Sequence, residues 1–600
     1  MEQTKKVYQN RKDIPEQHRW NLKDIYPTED LWEQDFKLIS EYLDQIGKFQ
    51  GRVIESANHL YETLKLKDKM LSLFERVTGY AMLYRDTNTA DQHYQGLANR
   101  VTALSVKVDS KLSFITPEIL QLTSGQQATF LDEHDRLNIY QHFLDDLQRQ
   151  KEHFRSPEQE ELIALSGEMA QAPQTIFSLL TNADMEFPEI EANGEKVRLT
   201  PGNFIEFLQS EDRRIRQSAH NAIYKTYTAH SNTLGATYSS SVKSDLFQAR
   251  VRHYDSSLES AMDPDNIPVS LYEGLLDSVG RHLPLLHRYI ELKKKVLELD
   301  SLSPYDLYVP LTKESQWKPN IEEAQKAVLE GLSVMGDEYT GLLASGFNDR
   351  WLDVYETKGK RSGAYSMGVI EVHPYILLNY QPNMESVFTI AHEMGHALHS
   401  YYTNKNQPYT YTHYPIFLAE VASTVNEALL FNHLLSRAEG NNRVTLLEKN
   451  LEQFRATVFR QVLFAEFEKE THELAESGQP LTPDTLNQIY AHLLSKYYGP
   501  HLALDDYIKY EWSRIPHFYS AFYVYKYATG FSSAVAIAER ILKEGSTAVE
   551  RYLGFLKSGS SAYPLETLKE AGVDLLEGHA VDDALKVFQQ RLEEFESLIL

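Results

Sequence analysis

The chain has 600 residues, 42% hydrophobic and 24% charged, with 85 acidic against 60 basic side chains and no cysteine. A formal net charge of −25 repels phosphate backbones and so argues against nucleic-acid binding. Without cysteine, disulfides, thiolate metal ligands and a cysteine nucleophile are excluded.

The length exceeds what one core organises, so roughly two to four lobes are expected. The opening residues, MEQTKKVYQNRKDIPEQ, carry charge but no apolar stretch of signal-peptide type. No uninterrupted apolar run approaches the ~18 residues of a membrane span. A cytoplasmic protein that neither crosses nor anchors to a membrane is the expectation.

Helical periodicity dominates. It runs through 56–87, again through 271–299, and through 451–477, where Phe454, Val458, Val462 and Phe467 form an apolar stripe. Strand signals are few. Residues 185–200, MEFPEIEANGEKVRLT, read as a hairpin turning at Asn193-Gly194. Pro201-Gly202 follows and marks the division between an N-terminal helical domain, 1–200, and a larger domain, 201–600. Residues 364–380, AYSMGVIEVHPYILLNY, read as one strand or as two broken at His373-Pro374. An exposed strand edge there would pair with an extended peptide through main-chain hydrogen bonds. The fold class is mainly α, multi-lobed, with a small sheet.

The stretch FTIAHEMGHALHSY, 388–401, follows, with Asn383 as a cap and Glu385 in the first turn of its helix. It contains the H-E-x-x-H pattern at His392, Glu393 and His396. Four helical residues turn the chain by about 400°, so the two imidazoles share a face and can grip one metal ion. Glu393 is rotated by about 100° from His392. That suits it to take a proton from water beside the metal rather than to ligate. Gly395 leaves room for a second element to approach closely.

Catalytic zinc usually has three protein ligands. In FLAEVASTVNEALL, 417–430, Glu420 and Glu427 lie seven apart on one face of a second helix, reached through a polar, aromatic loop, 402–415. A carboxylate on such an apolar helix needs compensation, which a metal supplies. Glu420 is the expected third ligand, and Glu427 the acceptor for a ligand imidazole N–H. His399 is the rival, although three ligands on one straight helix spread over about 10 Å of axis. His413 is a weaker candidate.

With HEMGHALHSYY and the Glu 24 residues beyond the second His, the chain resembles oligoendopeptidase F, of the thimet oligopeptidase-like zinc metallopeptidases. The segments 11–27, 361–380 and 514–530 extend the similarity over essentially the whole length. The resemblance implies a helical zincin whose lobes enclose a deep channel with zinc, one ion per chain, at its floor. It also implies that His517 and Tyr523, from the tyrosine-rich 517–527, donate hydrogen bonds to the substrate oxyanion. Tyr519 and Tyr527 are alternates.

The expected activity is a zinc metalloendopeptidase cleaving short, unfolded peptides, with Glu393 as base and 201–600 as the catalytic domain. No obligate protein partner is expected. Two other readings remain open. A helical zinc carboxypeptidase would need a cation such as Arg361 or Lys526 to clamp the terminal carboxylate. An inactive peptide-binding protein would not need Glu393.

Overall fold

A computed structural model describes residues 8–192, 194–313, 315 and 317–600. Helices dominate, and the strands among the described residues form one two-stranded and one three-stranded sheet. No helix is long and apolar enough to cross a membrane among those residues. Two compact units alternate along the chain. The first takes Met1–Lys151, Ser315–Ser436 and Ile537–Val573; the second takes Glu152–Glu314, Arg437–Ala536 and Asp574–Leu600. Position 200 falls inside the second.

In the first unit the 56–87 periodicity becomes one helix, Ala57–Thr87, started by Ser56, whose side chain accepts from the His59 N–H. With Glu29–Ile46 and Gln92–Leu112 it closes a core around Trp32, Ile39, Leu60, Val77 and Leu104. Trp32 satisfies its indole N–H on the Val77 carbonyl at 2.9 Å, which lets so large a side chain be wholly buried. The same core reaches Val369, Tyr375 and Leu377.

Tyr375 and Leu377 belong to the small sheet, and Val369 to the turn that joins two of its strands. Tyr375–Leu377 is its centre, parallel to Leu352–Asp353 and antiparallel to Tyr365–Met367. The 364–380 segment is thus two strands, but the break is longer than a split at His373-Pro374: it takes residues 368–374, and Pro374, which has no N–H to offer a ladder, stands at its end. Tyr365–Met367 has one strand neighbour and forms the sheet edge.

The 11–27 segment holds this sheet in place. Asp353 is fully buried and receives Arg11 through both guanidinium arms, Lys360 Nζ at 2.9 Å and the Trp20 N–H at 3.3 Å. Lys360, equally buried, also donates to the carbonyls of Tyr355 (2.8 Å) and Leu378 (2.5 Å). Trp20 Nε1 lies 2.9 Å from the Trp351 carbonyl and 3.0 Å from that of Ile376. One carboxylate therefore ties the chain start to two strands and the loop beyond them.

In the second unit the hairpin strands are Glu189–Ala192 and Glu195–Arg198, and Ala192 pairs with Glu195. The connection is two residues long, with Gly194 at φ +82°; Asn193 lies outside the described residues. The 271–299 pattern is the helix Val269–Val296. The 451–477 pattern is a longer path than expected: helix Gly440–Phe454, a π turn Arg455–Phe459 and helix Arg460–Glu476. The wider turn absorbs one extra residue, so Phe454, Val458, Phe459, Val462 and Phe467 all stay buried. Arg455 is held there by Glu452 at 2.8 and 2.9 Å.

Burial alone would raise the Asp353 carboxyl, but Lys360 and Arg11 overcome it and bring it down to about 2. An unfolded Asp titrates near 3.9. The ion pair's contribution is therefore complete above about pH 4 and is lost as pH falls through about 2. Asp353→Asn should cost about 3–5 kcal/mol in denaturant unfolding, because Lys360 is left buried and uncompensated. The variant should also lose part of the stability decline between roughly pH 4 and 2.

Candidate active site

The motif helix spans Met384–Asn406 and begins at Asn383, whose side chain accepts from the Ser386 N–H at 2.8 Å. It runs one turn further into the loop than expected. Val387, Ile390, Ala391, Met394, Ala397 and Leu398 are buried and fix its orientation. A second helix, Ile416–Arg437, crosses it at Gly395. A Cβ placed on Gly395 would lie 2.6 Å from Ser423 Cα and 2.7 Å from the Ala422 carbonyl oxygen. The two backbones touch. Below this point Asn426 Nδ2 donates to the Ala391 carbonyl at 3.0 Å, and Tyr339 OH donates to Asn426 Oδ1 at 2.6 Å. Helix Ser546–Ser558 backs the pair: Thr403 Oγ1 donates to the Leu556 carbonyl at 3.0 Å, and Tyr552 OH to that of Ala422 at 3.3 Å.

Helical spacing sets the distance between the two imidazoles, and the crossing sets that of the carboxylate to both. His392 Nε2 and His396 Nε2 face each other at 3.2 Å. Glu420 Oε2 lies 3.5 Å from the first and 3.7 Å from the second. An ion bound tetrahedrally at about 2.0–2.1 Å keeps its ligand atoms about 3.3–3.4 Å apart, so this triangle fits one zinc-sized cation. Among the described residues His392, His396 and Glu420 are the group able to hold a metal. Each donor is aimed by a neighbour. His392 Nδ1 lies 2.5 Å from Glu427 Oε1, the His396 ring bonds the Ala419 backbone, and Ser423 Oγ donates to Glu420 Oε2 at 3.1 Å.

Electrostatics match the geometry. Burial would lower His392, but the hydrogen bond and charge of Glu427 outweigh it and raise the ring to about 9. Burial together with the charge of His392 lowers His396 to about 4. Two ring nitrogens this close cannot both carry protons, and a metal ion resolves that conflict. Glu393 is 6% exposed, and its Oε2 has no hydrogen-bond partner. Burial first, then the charges of Glu420 and Glu427, push its carboxyl up to about 7 against the opposing pull of His392. A carboxyl that exchanges its proton near neutrality suits general base and acid work.

The remaining candidates separate cleanly. His399 is buried outside the cluster, its ring stacked 3.7 Å from that of Tyr414, and burial lowers it to about 3. His413 sits 3.3 Å from Glu75. In the second unit, Tyr527 OH approaches His517 Nε2 at 3.4 Å, and the Tyr523 ring packs edge-on against Tyr527 at 5.4 Å. Tyr519 points elsewhere, with its hydroxyl on Thr237 Oγ1 at 2.9 Å and its ring stacked on Phe177. Lys526 is paired with Asp265 at 2.9 Å and Arg361 with Asp86 at 3.1 Å.

Sequence reasoning missed Asn426 and Tyr339. The signal for Asn426 was its polarity on an otherwise apolar helix face, beside Glu427. Nothing local marked Tyr339 as its partner.

Gly395→Ala should destabilise the fold by about 1–3 kcal/mol and weaken metal binding, because backbone rather than a flexible side chain must move. Glu427→Gln should leave the fold intact and lower metal affinity by about 10–100-fold. Zinc titration with a competing chelator, beside thermal unfolding, measures both.

Residues 206–587 match the model of peptidase family M3, and residues 118–187 match that of oligopeptidase F. The chain is 44% identical to oligopeptidase PepF of Bacillus subtilis, over 100% of this chain and 90% of that protein. It is 41% identical to group B oligopeptidase PepB of Streptococcus agalactiae, over 98% of each. The crystal structure of oligoendopeptidase-F from Enterococcus faecium superposes with a TM-score of 0.74 at 38% identity, covering 95% of this chain and 99% of that one. With a paired-histidine and carboxylate site on a helical fold of this kind, the chain belongs to peptidase family M3 and is a metallopeptidase of its oligoendopeptidase F branch.

Proposed function

We propose that the chain hydrolyses internal bonds of short, unfolded peptides as a zinc endopeptidase, with one ion held by His392, His396 and Glu420. The observation that carries this reading is the triangle of donor atoms, 3.2, 3.5 and 3.7 Å on its sides, next to a buried Glu393 with an unpartnered oxygen. When bound there, zinc supplies a Lewis acid that makes water a stronger acid and a carbonyl a better electrophile.

The protein groups do the rest. Glu393 takes the proton of the attacking water and passes it to the departing amine. His517 and Tyr523 donate hydrogen bonds to the carbonyl oxygen as negative charge builds on it, with Tyr527 the alternate through its contact with His517. The edge strand Tyr365–Met367 aligns the peptide through main-chain hydrogen bonds, a mode that tolerates many side chains. The family models break between 187 and 206, which supports a division into an N-terminal helical domain, 1–200, and a catalytic domain, 201–600. A narrow channel over the zinc, as the family resemblance implies, restricts substrates to short peptides of the cytoplasm.

The carboxypeptidase alternative loses its clamp candidates, because Arg361 and Lys526 are already engaged by Asp86 and Asp265. A peptide blocked at both ends should therefore be cleaved, and resistance of all such peptides would favour the exopeptidase. Glu393→Gln should abolish turnover while zinc, by metal analysis, stays near one per chain; retained activity would overturn the scheme. Tyr523→Phe should lower kcat by roughly 10–1000-fold with the metal still bound.

A further inference from the structure

The second unit contains a carboxyl that the chemistry above does not use. Glu468, on the helix Arg460–Glu476, is wholly buried. Its Oε1 accepts the backbone N–H of Phe522 at 3.0 Å, and its Oε2 has no partner. Burial pushes the carboxyl well above the usual carboxylate range. A buried carboxyl with one oxygen unpartnered is costly and calls for a reason.

Phe522 supplies one. It stands at φ +53°, in the left-handed region that residues with a Cβ avoid. Such a conformation persists only where its surroundings impose it, and strained residues of this kind gather at active sites. Here the ring is also fixed, packed 4.5 Å from His472 and 5.8 Å from Tyr272. The next residue is Tyr523. Turn hydrogen bonds connect it back to His517: Tyr523 N–H donates to the Ser520 carbonyl at 3.3 Å, and Ser520 N–H to that of His517 at 2.9 Å. One residue beyond Val524, the chain enters the helix Tyr525–Glu544 with Tyr525 buried. Tyr523 itself stays partly exposed. It is the accessible ring on a short, doubly anchored stretch.

We propose that Glu468 is a positioning residue: by accepting the Phe522 N–H it holds that residue left-handed and so aims Tyr523 for its role in the peptidase reaction. This rests on the assignment of Tyr523 given above. Glu468 never touches substrate; it acts through the backbone.

The test compares Glu468→Gln and Glu468→Met in the full-length, zinc-loaded enzyme, on a capped peptide. Gln keeps an acceptor at the same reach, and kcat should stay within about threefold of the parent. Met removes the acceptor, and kcat should fall by about 10–100-fold with KM and zinc content nearly unchanged. Should the Met variant fail to fold, Glu468→Asp, which withdraws the acceptor by one methylene, carries the same expectation. In a Tyr523→Phe background the Met or Asp change should have little further effect on kcat, since both act on one group. Undiminished kcat in the Met or Asp variant, equal losses in Gln and Met, or full additivity with Tyr523→Phe would each overturn the proposal. If Tyr523→Phe alone leaves kcat unchanged, the oxyanion assignment fails first. If it lowers kcat while Glu468→Met does not, only the positioning role fails.

Discussion

Two helices in backbone contact govern this protein. Where Gly395 meets Ser423 there is no room for even a methyl group, and the reach of both carboxylates to the two histidines follows from that. Glu420 sits three residues before the crossing and Glu427 four after it. The first carboxylate therefore reaches the open edges of the two imidazoles and the second reaches the back of His392. A larger residue at 395 would push the helix axes apart, and both carboxylates would retreat together. The buried Tyr339–Asn426–Ala391 chain of hydrogen bonds locks the rotation of one helix against the other. Side-chain amides are rarely buried without such satisfaction.

The small sheet shows a similar economy. Asp353 gathers Arg11, Lys360 and Trp20 on one buried carboxylate. The edge strand proposed to carry substrate is therefore fastened, through its neighbours, to the first residues of the chain.

Much of this was legible in the residues alone, for identifiable reasons. The H-E-x-x-H helix announces itself because helical geometry converts a four-residue spacing into a shared face. Glu420 and Glu427 stood out as carboxylates on an apolar helix, which need partners, and the family resemblance carried the choice of Glu420 as much as that argument did. The hairpin followed from turn chemistry, and the missing N–H of Pro374 marked the far end of the break between the two strands. What stayed hidden depends on long-range contacts. Nothing nearby distinguishes Tyr519 from Tyr523; that Tyr519 is engaged by Thr237 and Phe177, far away in the chain, is seen only in the fold. The π turn at Arg455–Phe459 was equally silent, because an apolar stripe reads the same with one extra residue in the turn.

The alternation of the two units along the chain has a consequence for biosynthesis. The helix pair that carries the candidate metal ligands is fully synthesised once residue 437 is translated, yet Tyr552 and Leu556, which brace it, come more than a hundred codons later. The centre is thus finished only near the end of translation. A premature stop before that brace would leave the two helices without the side chains that back them, although both would be present in full.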